Sequence, residues 1–158
     1  MSKDYVIALK ESLDKKLKTL EEIRRMSQEQ SDILSRDSID YEAFDALVDD
    51  KDICIERIEK LDEGFETVYE RVKEELQNNK DQYKELISQI QELIAKITDQ
   101  STAIQALETR NKNTLTTVFN KERKQLSEGK RSVNVAMNYY KNMNGLNAAS
   151  AQFLDKKK

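Results

Sequence analysis

Residues 83–126 read YKELISQIQELIAKITDQSTAIQALETRNKNTLTTVFNKERKQL, without a single proline or glycine. Apolar side chains recur there as Tyr83, Leu86 and Ile87, Ile90, Leu93 and Ile94, Ile97, Ile104, Leu107, Leu115, and Val118 with Phe119. Intervals of three, four and seven place them on one stripe of an α-helix. At ~1.5 Å per residue an unbroken helix of this length spans on the order of 65 Å, so the stripe needs a long partner. Composition changes near Asn111, which divides the stretch into a structural first half and a recognition half. Through Ile97 it is expected to form the spine of a slender bundle.

The rest of the chain supplies the partners. Among 158 residues, 36% are charged and 37% hydrophobic, too little apolar material for a thick core, so a narrow bundle is expected. There is no proline, and only Gly64, Gly129 and Gly145 interrupt a composition rich in helix formers. The expected class is all-α: an elongated antiparallel three-helix bundle or coiled coil, with helices at about 4–34, 41–77 and 81–127.

Val6, Leu9, Leu13, Leu17, Leu20, Ile23 and Met26 mark the first helix. Glu11 with Lys15, Asp14 with Lys18 and Glu21 with Arg25 place acid before base at i,i+4, the better orientation on an exposed face. Ser35-Arg36-Asp37-Ser38 then breaks the pattern with small polar residues. Asp40 is positioned to cap a second helix, and Ile39 and Phe44 occupy the two sites of a hydrophobic staple. The second seam runs through Phe44, Leu47, Val48, Cys54, Ile55, Ile58, Leu61, Phe65, Val68, Tyr69, Val72 and Leu76. Lys51 sits a heptad before Ile58 and is expected to snorkel, its stem apolar and its head in water. Gly64 offers a place for close helix approach, at a cost of roughly 1 kcal/mol relative to alanine.

The segment Gln77-Asn78-Asn79-Lys80-Asp81 leaves two readings open. Either the interval from Leu76 to Tyr83 is a stutter in one continuous helix, or Asn79 caps a new helix with Gln82 three residues on. The break is preferred because it lets two stripes bury each other within one chain. Farther on, Asn111 falls on the seam between Ile104 and Val118, as a register-setting polar residue would, and Thr114, Thr116 and Thr117 lower helix propensity beside it.

Charge is uneven. Residues 1–119 carry a net −9 and residues 120–158 a net +6 within a total of −3. The basic tail, residues 129–158, includes Val133, Met137, Tyr140 and Met143 at helical spacing, suggesting a short helix at about 131–143. A segment this short is marginal alone and is expected to order on a partner. Three terminal lysines do not make a nucleic-acid motif, and none is expected to bind.

The chemistry needed for catalysis is sparse. The chain has no histidine, a single cysteine and no Gly-rich phosphate loop. Cys54 lies among Ile53, Ile55 and Ile58, a small core residue whose apolar setting disfavours the thiolate. Asp49, Asp50 and Asp52 form a charge run of the kind that solvates a helix face. No enzyme activity, cofactor or metal is expected. No signal peptide pattern opens the sequence and no apolar run approaches the ~18 residues of a membrane span, so a cytoplasmic protein is expected. What remains is a surface for proteins: a carrier whose groove takes an amphipathic segment, or a structural coiled-coil spacer or homodimer. The charge-poor Met and Tyr segment after Gly129 favours the carrier.

Three motifs carry a family resemblance: Asp40-x-Glu42-x-Phe44-x-x-Leu47-x-x-x-Lys51, Ile55-x-x-Ile58-x-x-Leu61, and Ile104-x-x-Leu107-x-x-x-Asn111-x-x-x-Leu115. In order and spacing, over roughly residues 5–145, the chain resembles the FlgN family of flagellar export chaperones. Gly64 and the threonines at 114–117 depart from that pattern. The resemblance implies a cytoplasmic chaperone that binds the C-terminal helices of hook-associated proteins at the hook–filament junction and delivers them to the type III export gate. It maps client binding onto Leu107, Asn111, Leu115, Val118, Phe119 and Leu126. It places the export-gate contact in the tail segment of Val133, Met137, Tyr139, Tyr140 and Met143, with Tyr139 or Tyr140 the nearest candidate for the family's docking tyrosine. A chaperone of the filament cap is the alternative within the class.

Overall fold

A computed structural model of the chain describes residues 2–122. Three helices account for most of them: α1, Ser2–Leu34; α2, Tyr41–Asn78; and α3, Lys84–Glu122. Leu126 and the expected helix at 131–143 lie outside the described residues.

The first connection is built as local sequence dictates. Ser35 closes α1, its N–H donating to the Ser31 carbonyl at 3.1 Å and its hydroxyl to the Asp32 carbonyl at 2.8 Å. Asp40 caps α2 by accepting from the Ala43 N–H at 3.0 Å, while Phe44 is buried and Ile39 packs against the core.

The second connection is a break, and it differs in detail from the expected cap. Asn79 ends α2 instead of starting α3: its backbone N–H and its side-chain amide both donate to the Glu75 carbonyl, at 2.9 and 3.2 Å. A turn follows in which the Gln82 and Tyr83 N–H groups donate to the Asn79 carbonyl. The Tyr83 hydroxyl then reaches back to Glu75 Oε1 at 2.9 Å, tying the turn to the helix it leaves. With those donors spent on the turn, α3 starts at Lys84, a few residues later than the capping pattern implies.

Side-chain pairs give the directions. Residue numbers fall along α2 as they rise along α1, from Lys16 with Asp62 to Gln30 with Lys51. They rise together along α1 and α3, from Arg24 with Gln100 to Ser31 with Arg110. Hence α1 and α3 are parallel, and α2 runs against both.

The spine is α1, not the first half of α3. It packs along both other helices, whereas the backbones of α2 and α3 scarcely approach one another. A central helix must bury a wide arc, and α1 does: Thr19, Met26 and Ile33 are covered in addition to Leu9, Lys16, Leu20, Ile23, Ser27, Gln30 and Leu34. Leu17, placed on the seam by spacing, is only half-buried. Lys16 takes the inward position and donates to Asp62 Oδ1 at 2.9 Å. Burial pushes the Asp62 carboxyl above the usual aspartate range, and Lys16 pulls the other way. Apolar side chains fill the rest of the core, including Phe65, Tyr69, Val72 and Leu76 of α2 and Ile90, Ile94 and Ile97 of α3.

Gly64 serves no close approach among the described residues. It is exposed, has an ordinary helical backbone, and a Cβ added there would meet nothing within 4 Å. Substitution Gly64→Ala should therefore stabilise the bundle by roughly 1 kcal/mol through helix propensity alone. A urea titration followed by circular dichroism checks this; an unchanged or lower midpoint means that the glycine has a contact role.

Candidate binding surface on the third helix

The inward face of α3 is apolar through Ile90, Leu93, Ile94 and Ile97, then turns mixed: Ser101, Ile104, Glu108, Asn111 and Leu115. At its centre is a buried polar node joining all three helices. Lys51 of α2 donates to Glu108 Oε1 of α3 at 2.8 Å and to Ser27 Oγ of α1 at 3.3 Å, and it also bonds Gln30 Oε1. Ser27 donates its hydroxyl to Glu108. Gln30 donates to the Phe44 carbonyl at 3.2 Å, and Asn111 to the Ser27 carbonyl at 2.9 Å.

Lys51 therefore does not snorkel. Its side chain is 1% exposed and that of Glu108 4%. Enough acceptors converge on the ammonium to replace water, so the head stays inside with its stem. Burial lowers the Lys51 pKa below that of an ordinary lysine; Glu108 opposes the shift without cancelling it. Sequence spacing does mark these positions, since Ser27 and Gln30 continue the α1 seam from Ile23, and Glu108 lies four residues after Ile104. Ser27, Gln30 and Glu108 are polar and so fall outside an apolar seam, which is why sequence reasoning misses them.

The residues assigned to client binding fall into two sets. Asn111 and Leu115 are buried, and Asn111 is bonded to α1 through the Ser27 carbonyl. Leu107, Val118 and Phe119 are half-buried at the edges of the same face. Leu126, Val133, Met137, Tyr139, Tyr140 and Met143 lie outside the described residues.

Beside the node, Gln28, Ser31, Asp32, Leu34, Ser35, Arg110, Asn111 and Thr114 line a cleft of about 370 Å³. The cleft marks the level at which α1 ends, so Val118 and Phe119 sit a turn farther along α3. Each threonine hydroxyl there donates to the carbonyl four residues back: Thr114 to Arg110, Thr116 to Lys112 and Thr117 to Asn113, at 3.0, 2.9 and 3.0 Å.

Cys54 is buried as expected, and its thiol contacts Glu22 Oε2 at 3.6 Å. Burial raises its pKa, and the nearby Glu22 carboxylate adds to the shift. Among the described residues, no group of His, Cys, Asp or Glu is arranged to hold a metal ion, and no helix is long and apolar enough to cross a membrane.

The described residues form a slender bundle of three long helices that presents helix faces. The family model described as FlgN protein matches residues 1–148, nearly the whole length, and the chain belongs to that family. FlgN proteins are flagellar export chaperones, which bind flagellar substrate proteins; the family is not one of enzymes. No curated protein and no solved structure matches the chain.

Two outcomes test the node. Replacing Lys51 by methionine strands the Glu108 carboxylate and should cost roughly 3–5 kcal/mol in urea titrations. The pH dependence has a definite sign. Between the lowered folded pKa of Lys51 and its ordinary value of 10.5, the unfolded chain holds a proton that the folded chain lacks, so stability rises with pH. The difference between wild type and Lys51→Met should accordingly grow as pH rises through that window; a difference that shrinks shows that the ammonium is not desolvated.

Proposed function

We propose that this chain is a cytoplasmic chaperone for the hook–filament junction proteins. It binds their C-terminal amphipathic helices and delivers them to the flagellar type III export apparatus. The observation that carries the reading is the state of the second half of α3: Leu107, and Val118 and Phe119 beyond the end of α1, are large apolar side chains left half-buried along one helix. An incoming helix with apolar anchors at i, i+3 or i+4, and i+7 would complete their burial. Each fully buried aliphatic or phenyl side chain contributes about 1.5–3 kcal/mol, so a short strip of this kind supports reversible binding. Leu115 and Asn111 support the strip from within, and Leu126 would extend it. Export-gate contact is assigned to the tail, through Tyr139 or Tyr140 with Val133, Met137 and Met143 as its apolar setting; this assignment rests on the family resemblance.

The test is a titration of the full chain with C-terminal peptides of hook-associated proteins and of a filament cap protein. Submicromolar binding of the first alone is expected. Binding of the cap peptide alone would transfer the reading to a filament-cap chaperone. No binding to either, with a tight dimer in sedimentation, would make the protein a coiled-coil spacer. Leu107→Asp and Phe119→Asp should weaken peptide binding at least about tenfold while helicity is unchanged, since an uncompensated charge would then sit in an apolar contact. Leu115→Asp should instead lower the stability of the bundle, because that side chain is only 2% exposed.

A further inference from the structure

The two halves of α3 are held to the bundle by different forces. Ile90, Leu93, Ile94 and Ile97 attach the first half by apolar burial. From Ser101 onward, inward positions alternate between apolar Ile104 and Leu115 and polar Ser101, Glu108 and Asn111. Two buried atoms of that second half, Ser101 Oγ and Glu108 Oε2, have no hydrogen-bond partner among the described residues. Apolar contacts lose little by re-forming elsewhere, whereas buried ions and orphaned acceptors carry a desolvation penalty that opening relieves. At the junction, the Thr98 and Thr102 hydroxyls donate to the Ile94 and Thr98 carbonyls, both at 2.9 Å, an arrangement that eases helix bending. A stable anchor is thus joined to a second half that is costly to keep closed.

We propose that α3 from Ser101 onward is a displaceable strap over a receptor face on α1 and α2, and that an amphipathic helix bearing a carboxylate where Glu108 stands can take its place. The receptor face includes the groups that the strap now bonds, Ser27 on α1 and Lys51 on α2, with Gln30 of α1 bonded to Lys51 beside them. All three are buried. Lys51 selects the occupant. Its ammonium, which also bonds Gln30 and Ser27, receives an anionic contact from Glu108 of the strap at 2.8 Å. A helix with an apolar residue at that position would forfeit this contact and be disfavoured. The strap itself displays the accepted pattern: Ile104, Glu108, Asn111 and Leu115, at i, i+4, i+7 and i+11.

This surface deepens the chaperone reading, on which it rests for the helical nature of the occupant. It differs from the outer strip of Leu107, Val118 and Phe119 in that α3 must move.

Hydrogen exchange on the full chain tests the strap. Amides of residues 104–111 should exchange at least about tenfold faster than those of residues 90–97. In the triple variant Ser27→Ala, Lys51→Met, Glu108→Met, the two segments should exchange alike, because the ionic penalty is gone. Equal rates in the wild type overturn the proposal. So does a triple variant in which residues 104–111 remain fast, since ordinary end fraying would not respond to the node. For the occupant, the probe is a peptide of residues 97–118 of this chain added in trans. It should protect α1 and α2 amides around Ser27 and Lys51, and a Glu108→Lys version should bind at least about tenfold more weakly. A Lys51→Glu chain should reverse that preference. Absence of wild-type peptide binding, or equal binding of both peptides, overturns the charge selection. Neither arm uses a flagellar client, so failure of client titrations would remove the chaperone reading and leave this result to stand or fall by itself.

Discussion

The contact between Lys51 and Glu108 fixes the geometry of the whole molecule. It ties α2 to α3 far from the turn that joins them, where their backbones scarcely meet. Apolar packing against a central helix tolerates sliding and rolling, since one leucine-sized knob fits a neighbouring hole nearly as well as its own. An ion pair does not tolerate sliding: a displacement by one turn, about 5.4 Å, leaves both charges buried and unpaired. The pair and its hydrogen-bonded neighbours Ser27, Gln30 and Asn111 therefore set one height and one rotation for α3. The net stabilisation from such a pair is small, and its value lies in the arrangements it excludes.

The course of the chain was legible wherever it depends on neighbours in sequence. Asp40, Ile39 and Phe44 announce the start of α2 because capping and stapling act within a few residues. The loop after Leu34 is equally plain from its serines. Apolar spacing correctly separated three long helices, for the same reason that it cannot order them: a stripe shows that a face is covered, not by how many partners. That α1 is central emerges only from the width of its buried arc, which is filled partly by Lys16, Thr19, Ser27 and Gln30. Polar residues on a seam read as solvent-facing unless their partners are known, and the partners of Ser27 are 24 and 81 positions away. Asn79 shows the other failure, since an asparagine satisfies either end of a helix and only the direction of its hydrogen bonds decides.

The candidate site was legible in the same uneven way. Leu107, Val118 and Phe119 lie at the margin of the buried face, where a binding role and a packing role look alike in sequence. Asn111 is buried on the seam and donates to the Ser27 carbonyl of α1. The membership of the chain in a family of export chaperones gives these residues a context: a carrier must hold its load and also surrender it. The placement of polar groups in the second half of α3 keeps that region the least apolar part of the core, close to where the load is expected.

Finally, the parallel pairing of α1 with α3 has a consequence for how the protein is made. Contacts across the α1 and α2 hairpin span 14 to 66 residues, from Gln30 with Phe44 to Tyr5 with Arg71, whereas those from α1 to α3 span 76 to 84. Low contact order favours the hairpin as the early folding unit, and α3 must dock last. During synthesis the hairpin leaves the ribosome with the α3-facing side of α1 bare, and every nascent copy passes through a state that offers a helix-shaped vacancy. The charged lining contributed by Lys51 makes that vacancy poorly suited to apolar strangers, so the same buried ammonium that positions the finished bundle also protects the unfinished one.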